Sequence, residues 1–265
     1  MGAGVSSLDI AKDIGPIANK IWQTSRGGDY DLPGSLLPEN AVQVPDTESF
    51  ELPHDGESKP LGEDEPIPLT VTLGNGRKIC DIHYVIIATG YHITLPFLSY
   101  LHQDDVKPEE IDDKTIVSDG TMFHNLHKDI FYIPDPTLSF IGVPYYTATF
   151  SLFDFQAKLL ALVYSGQVGI PSSEKLRAEY IRRVHEKGLG RAFNSLRGKE
   201  EEYVAELADW ADPYLAEKGE APFGRHTDLW LSQKEEQRIR IGKLLEGPPF
   251  DPAITEAALA AIACS

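Results

Sequence analysis

The chain opens Gly2-Ala3-Gly4-Val5-Ser6-Ser7, directly ahead of apolar residues at helical spacing. This is the G-x-G-x-x-G/A pattern with serine at its third small position. Gly2 permits a tight turn, Gly4 lets a pyrophosphate approach bare backbone, and a small Ser7 lets the helix lie close against a sheet. The first N–H groups of the helix then face the ligand with a partial positive charge worth about 0.3–1 kcal/mol. Taken alone, the pattern equally suits a glycine-rich helix entry with no ligand. A second feature agrees with it. About 20 residues further on, where the next strand of such a unit ends beside an adenosine ribose, stands Thr24-Ser25-Arg26. A carboxylate there would read a 2′-hydroxyl, whereas a hydroxyl followed by arginine suits a 2′-phosphate, and no acid lies between Asp13 and Asp29. The expected ligand is NADP(H) rather than NAD(H).

These residues need elements to position them. Val5, Leu8, Ile10, Ala11 and Ile14 recur at helical spacing until Gly15-Pro16, which predicts a short helix over residues 5–14. "NKIWQTS" follows as a short strand. From Asp29 to Pro68 the composition shifts to eleven acids and one lysine with many Pro and Gly, which predicts a solvated excursion with a strand or two. "LTVTL", the turn Gly74-Asn75-Gly76 and "RKICDIHYVIIATGY" predict a hairpin running into a buried strand, Tyr84 to Ala88. That strand ends in Ala88-Thr89-Gly90, bare backbone that a cofactor could approach. The sheet is expected to resume at "IFYI" and "LSFIGV". A buried helix is expected from about Leu152 to Ser165, and charged helices after a cap at Ser172 or Ser173.

Composition bounds the function. The chain has 265 residues, of which 42% are hydrophobic, with 24 basic and 41 acidic side chains and a formal charge of −17. Such a charge repels phosphate backbones and anionic lipid, so nucleic acid is not an expected partner. Two cysteines, Cys80 and Cys264, are too few for a disulfide framework, and no apolar run reaches the roughly 18 residues of a membrane span. A cytoplasmic protein acting on a small molecule is expected. His124 and His127, three residues apart, lack the further ligands a metal site needs, so no metal is expected. No residue stands out as a catalytic nucleophile or base.

"GAGVSSLDIA", "IIATGY…LPFL" and "LSFIGVPYYTATFSLFDFQAKLLALVYSGQVGIPSS" resemble, in this order and spacing, the flavin-containing monooxygenases, especially fungal members. The likeness covers residues 1 to about 175, with a looser similarity beyond. In that family an NADPH domain is inserted into an FAD domain, and the Ala-Thr-Gly strand marks the return from one to the other. The resemblance therefore implies an α/β fold in three parts: an NADP(H)-binding Rossmann domain over 1–90 lacking its first strand, the C-terminal part of an FAD-binding domain over 91–171, and a helical extension over 172–265. It implies an NADPH site at Gly2, Gly4, Ser6, Ser7, Ser25 and Arg26, a junction at Ala88, Thr89 and Gly90, and Thr149, Phe150 and Gln156 near the flavin. The family's separate FAD fingerprint does not occur here, so the chain corresponds to the C-terminal portion of such an enzyme. A complementing N-terminal segment or a homo-oligomer would then complete it, and the chain alone would be inactive. The implied reaction uses FAD and NADPH to place one oxygen atom on nitrogen, sulfur or a ketone carbon. Two alternatives stay open: a non-catalytic remnant that binds NADP(H) or a partner protein, and a flavin reductase-like enzyme that does not oxygenate.

Overall fold

The structure, a computed structural model, describes residues 1–28, 31–52, 62, 65–67 and 69–245. Asp29, Pro68, much of the acidic stretch between them, Cys264 and the end of the helical extension lie outside the described residues. The chain divides into two compact units, Met1–Tyr91 with the residues from Gln233 onward, and His92–Ser232.

In the first unit, helix α1 (Val5–Ile14) is followed by strand β1 (Ile21–Ser25), within a residue or two of the sequence expectation. Ser7, Leu8 and Ala11 form the buried face of α1. Strand β2 (Ala41–Pro45) pairs with β1 in parallel, Gln23 opposite Gln43. Strands β3 (Thr47–Glu51), β4 (Thr70–Leu73) and β5 (Lys78–Ile79) make an antiparallel sheet. The β4–β5 hairpin closes through Gly76, whose φ of +78° is the left-handed conformation glycine tolerates. Val42, Val44, Val71, Leu73 and Ile79 form one buried cluster with Trp22, Leu69 and Ile82 packed against it.

The strand expected at Tyr84–Ala88 differs from its prediction. The segment belongs to none of the assigned strands, and Tyr84 and Ile87 are each 74% exposed. An apolar run is buried only when something covers it, and most of this one is left exposed. Its backbone is nevertheless engaged. Ala88 N–H donates to Met1 O (2.8 Å), Met1 N donates to Ile86 O (2.5 Å), and Gly2 N–H donates to Thr24 O on the other side (3.2 Å). Met1–Gly2 thus occupies the strand position between β1 and the extended 86–88 segment, in the lateral order β2, β1, Met1–Gly2, 86–88. That is the order of strands in half a Rossmann sheet.

The second unit contains strands β6 (Leu126–His127) and β7 (Phe131–Tyr132), a two-stranded antiparallel pair. "LSFIGV" contributes a bridge, Ser139 to Phe131, rather than a further strand. Helix α2 (Thr149–Tyr164) starts three residues ahead of the expected position and fully buries only Leu152, Gln156 and Leu159, one stripe rather than most of its surface. Helix α3 (Ser173–Lys187) is capped by Ser172, whose Oγ accepts from Lys175 N–H. Helix α4 (Glu200–Glu217) packs on α2, and α5 (Asp228–Leu245) begins in this unit, its residues from Gln233 onward being assigned to the first. Leu152 and Leu159 share one apolar cluster with Val204, Leu207, Ala208 and Ala211 of α4, and Leu176 and Tyr180 of α3 share another with Met122 and Ile133. Asp129 is fully buried, bonded by Arg183 at 2.8 and 2.6 Å and by Asn194 at 2.8 Å.

Candidate functional site

The glycine turn is held by backbone. Gly2 has φ +100°, and a Cβ added there would lie 2.4 Å from Ala88 O, so no other residue fits between the two flanking chains. Gly4 is different. Its φ of −85° and ψ of −170° suit any L residue, yet a Cβ added there would meet nothing within 4 Å. The fold leaves that space open, and a side chain would fill it. Gly4 also serves as N-cap of α1 with no side-chain cap and no acid in the first turn, so among the described residues no capping oxygen or first-turn carboxylate satisfies this helix start. Ser6 is exposed there. Ser7 is buried, and its Oγ accepts from Gln23 Nε2 at 2.9 Å. Gln43 Nε2 bonds Gln23 Oε1 (2.9 Å) and Leu32 O (3.1 Å). The third small position therefore does more than avoid a clash, since it ties α1 to β1 and β2 through two glutamines that carry no sequence signature beyond sitting at matching strand positions.

At the end of β1, Arg26 is exposed and forms no ion pair among the described residues. Ser25 is occupied. Its Oγ donates to Asp31 Oδ2 at 2.5 Å, and the same oxygen accepts from Gly27 N–H (3.0 Å) and Gly28 N–H (3.1 Å). Sequence spacing excluded acids only up to Asp29, and the turn over Gly27-Gly28 returns Asp31 to the strand end. Ala88 sits beside Gly2, while Thr89 and Gly90 are exposed just before the first unit's main segment ends at Tyr91.

The residues expected near a flavin lie in the second unit at α2. Thr149 and Phe150 are exposed, Phe150 by 90%. Gln156 is fully buried, its Oε1 accepting from Gly142 N–H (2.9 Å) and its Nε2 donating to Tyr203 Oη (2.8 Å). Both ends of the carboxamide are engaged inside the core. Ala148 N–H, at the start of the helix, donates to Glu200 Oε2 at 2.9 Å, so a carboxylate of the chain already stands there. Unlike the Gly4 turn, this helix start is not an open anion cradle.

The two histidines noted in the sequence are separate. His124 Nε2 pairs with Ser118 Oγ and His127 Nε2 with Glu179 Oε2, each at 2.8 Å. No group of three metal-ligating side chains occurs among the described residues, and no described helix is long and apolar enough to cross a membrane.

No protein-family model matches the chain. It is 44% identical over 238 residues to the flavin-containing monooxygenase ustF2 of Aspergillus flavus, covering 90% of this chain and 48% of that protein. A second protein of the same fungus, flavin-containing monooxygenase ustF1, is 32% identical over 98% of this chain and 51% of its own length. The thiol-specific monooxygenase of Saccharomyces cerevisiae is 28% identical over 79% of this chain. In three dimensions the chain resembles the S-allyl-L-cysteine S-oxygenase of Allium sativum with a TM-score of 0.60 at 19% identity, covering 98% of this chain and 52% of that one. The chain spans about half the length of the curated relatives it matches. In sequence and in α/β fold, it is a relative of the flavin-containing monooxygenases over that half.

Proposed function

We propose that the first unit binds NADP(H), as the nicotinamide-nucleotide part of a flavin-dependent monooxygenase that oxygenates a small organic substrate at nitrogen, sulfur or a ketone carbon. The observation that carries the reading is the contrast between the two glycines. Gly2 is demanded by the fold, whereas the fold makes no use of the empty space over Gly4, at the uncapped start of α1. A pyrophosphate would fill that space and meet the first amides of the helix. Ser6 would face it, Ser7 would hold α1 to the sheet, and Ser25 and Arg26 would lie toward the adenosine 2′-position. Ala88, Thr89 and Gly90 would form the wall beside Gly2.

In such an enzyme the bound nucleotide supplies hydride and the flavin the oxygen chemistry. The flavin assignment rests on the relatives rather than on an FAD cradle in this chain. On that likeness Thr149 and Phe150 would face the flavin side of the enzyme, with Gln156 fixing α2 from inside the core. The names of the relatives, a thiol-specific monooxygenase and an S-oxygenase among them, favour a soft sulfur nucleophile as substrate. The same reading gives the exposed Ile87 and Tyr91 a partner, a complementing segment that supplies the rest of the FAD site. NADPH titration of the wild-type chain against Gly4→Val tests the nucleotide assignment. Binding by the wild type and its loss in the variant are expected, and equal affinities would remove the assignment.

A further inference from the structure

Three donors converge on one oxygen at the end of β1: the Ser25 hydroxyl, Gly27 N–H and Gly28 N–H all meet Asp31 Oδ2, at 2.5, 3.0 and 3.1 Å. Consecutive backbone amides with a hydroxyl, beside Arg26 with no ion pair among the described residues, are a concave anion-binding arrangement. Here its anion is internal. Asp31 is not free to swing aside with a loose loop, because the next residue is fastened on both sides. Leu32 N–H donates to Ala3 O inside the glycine turn (2.7 Å), and Leu32 O accepts from Gln43 Nε2 (3.1 Å). Asp31 N–H also bonds Gly28 O at 3.0 Å, closing the turn.

We propose that Asp31 is a specificity-determining residue that competes with the 2′-phosphate of the nucleotide for this nest, and so narrows the preference for NADPH over NADH. This rests on the nucleotide reading of the first unit. A 2′-phosphate brings about −1.5 to −2 charges. To reach the Ser25 hydroxyl and the two amides it must displace Asp31, and the displaced carboxylate remains close by as a like charge. A 2′-hydroxyl makes the opposite demand. It can donate to Asp31 Oδ1, to which no hydrogen bond is made among the described residues, and leaves the nest undisturbed. Arg26 favours the phosphate and Asp31 the hydroxyl, so the position selects by the balance of the two rather than by the arginine alone.

The test titrates 2′,5′-ADP and 5′-AMP, which differ only in the 2′-phosphate, into the chain with Asp31 intact, as Asp31→Asn and as Asp31→Ala. Thermal melts accompany each titration. Asp31→Asn keeps an acceptor of the same shape and removes the charge, and Asp31→Ala empties the nest if the asparagine variant misfolds. Like-charge juxtaposition in a site typically costs enough that its removal should tighten 2′,5′-ADP by about tenfold or more, while 5′-AMP changes by less than about twofold. If both probes bind and their ratio stays the same, or if 2′,5′-ADP binds more weakly, Asp31 is a turn residue and this inference falls while the nucleotide reading stands. If neither probe binds any of the three proteins, both fall.

Discussion

Replacing Gly2 by alanine should unfold the first unit at markedly lower denaturant, and the structure gives the size of the effect. An L residue held at the φ of +100° found here is strained by about 1–3 kcal/mol. The added Cβ would sit 2.4 Å from Ala88 O, a separation real atoms do not adopt, so the 86–88 segment must move away from Met1. That motion endangers the two hydrogen bonds joining Met1 to Ile86 and Ala88, at about 0.5–1.5 kcal/mol each. Alanine returns up to about 1 kcal/mol by stiffening the unfolded chain. The net loss is about 1–6 kcal/mol, a large share of the ~5–15 kcal/mol that holds a domain together. Gly4→Ala is the control. Its backbone angles are ordinary and no atom lies within 4 Å, so it should lose at most about 1 kcal/mol, through its poorer N-cap. Urea unfolding followed by circular dichroism, with linear extrapolation for each variant, measures both. A Gly2→Ala protein within about 1 kcal/mol of wild type, or a Gly4→Ala protein destabilised as much as Gly2→Ala, would refute the assignment of different jobs to the two glycines.

In the second unit, Asp129→Ala should cost about 3–5 kcal/mol in urea unfolding, because it strands the Arg183 guanidinium in a largely buried position. The double variant with Arg183→Met should recover part of that loss, and a single variant as stable as wild type would contradict the network described. Burial pushes the His124 pKa down from 6.5 to about 4. Below about pH 6.5 the unfolded chain takes up a proton that folded His124 refuses, so this histidine's stabilising effect is complete above pH 6.5 and is lost progressively as pH falls to about 4, by about 3 kcal/mol in all. Denaturation midpoints at pH 7.5 and 4.5 should differ less in His124→Gln than in wild type, though burial lowers His127 as well and leaves part of the slope.

Local chemistry made α1 and β1 legible, since apolar spacing begins the helix and Gly15-Pro16 ends it without reference to the rest of the fold. The glycine turn was legible for the same reason. The burial of Tyr84–Ala88 was not, because an apolar run states a demand for cover and says nothing of where the cover comes from. Asp31 escaped notice because the spacing argument stops at the strand end, whereas a Gly-Gly turn lets an acid six residues after Ser25 return to it. Ser7, Gln23 and Gln43 could have been linked by one signal, polar residues at inward positions of adjacent strands facing a small helical residue. Gln156 gave a weaker one. A single amide in an apolar helix requires partners, but Gly142 lies 14 residues away, in the segment ahead of α2, and Tyr203 lies 47 away and is brought in by the packing of α2 on α4.

If residues 2–7 are an anion cradle for a nicotinamide nucleotide, amide hydrogen exchange during NADPH titration of wild type and Gly4→Val will show it. NADPH should slow exchange at residues 5–8 and 25–28 in the wild type. In Gly4→Val, loss of at least two charge-assisted hydrogen bonds at about 1.5–3 kcal/mol each should weaken binding by about a hundredfold or more and abolish the protection, while the fold loses no more than the ~1 kcal/mol of a poorer N-cap. NADPH binding that protects neither segment, or that survives Gly4→Val undiminished, would contradict it.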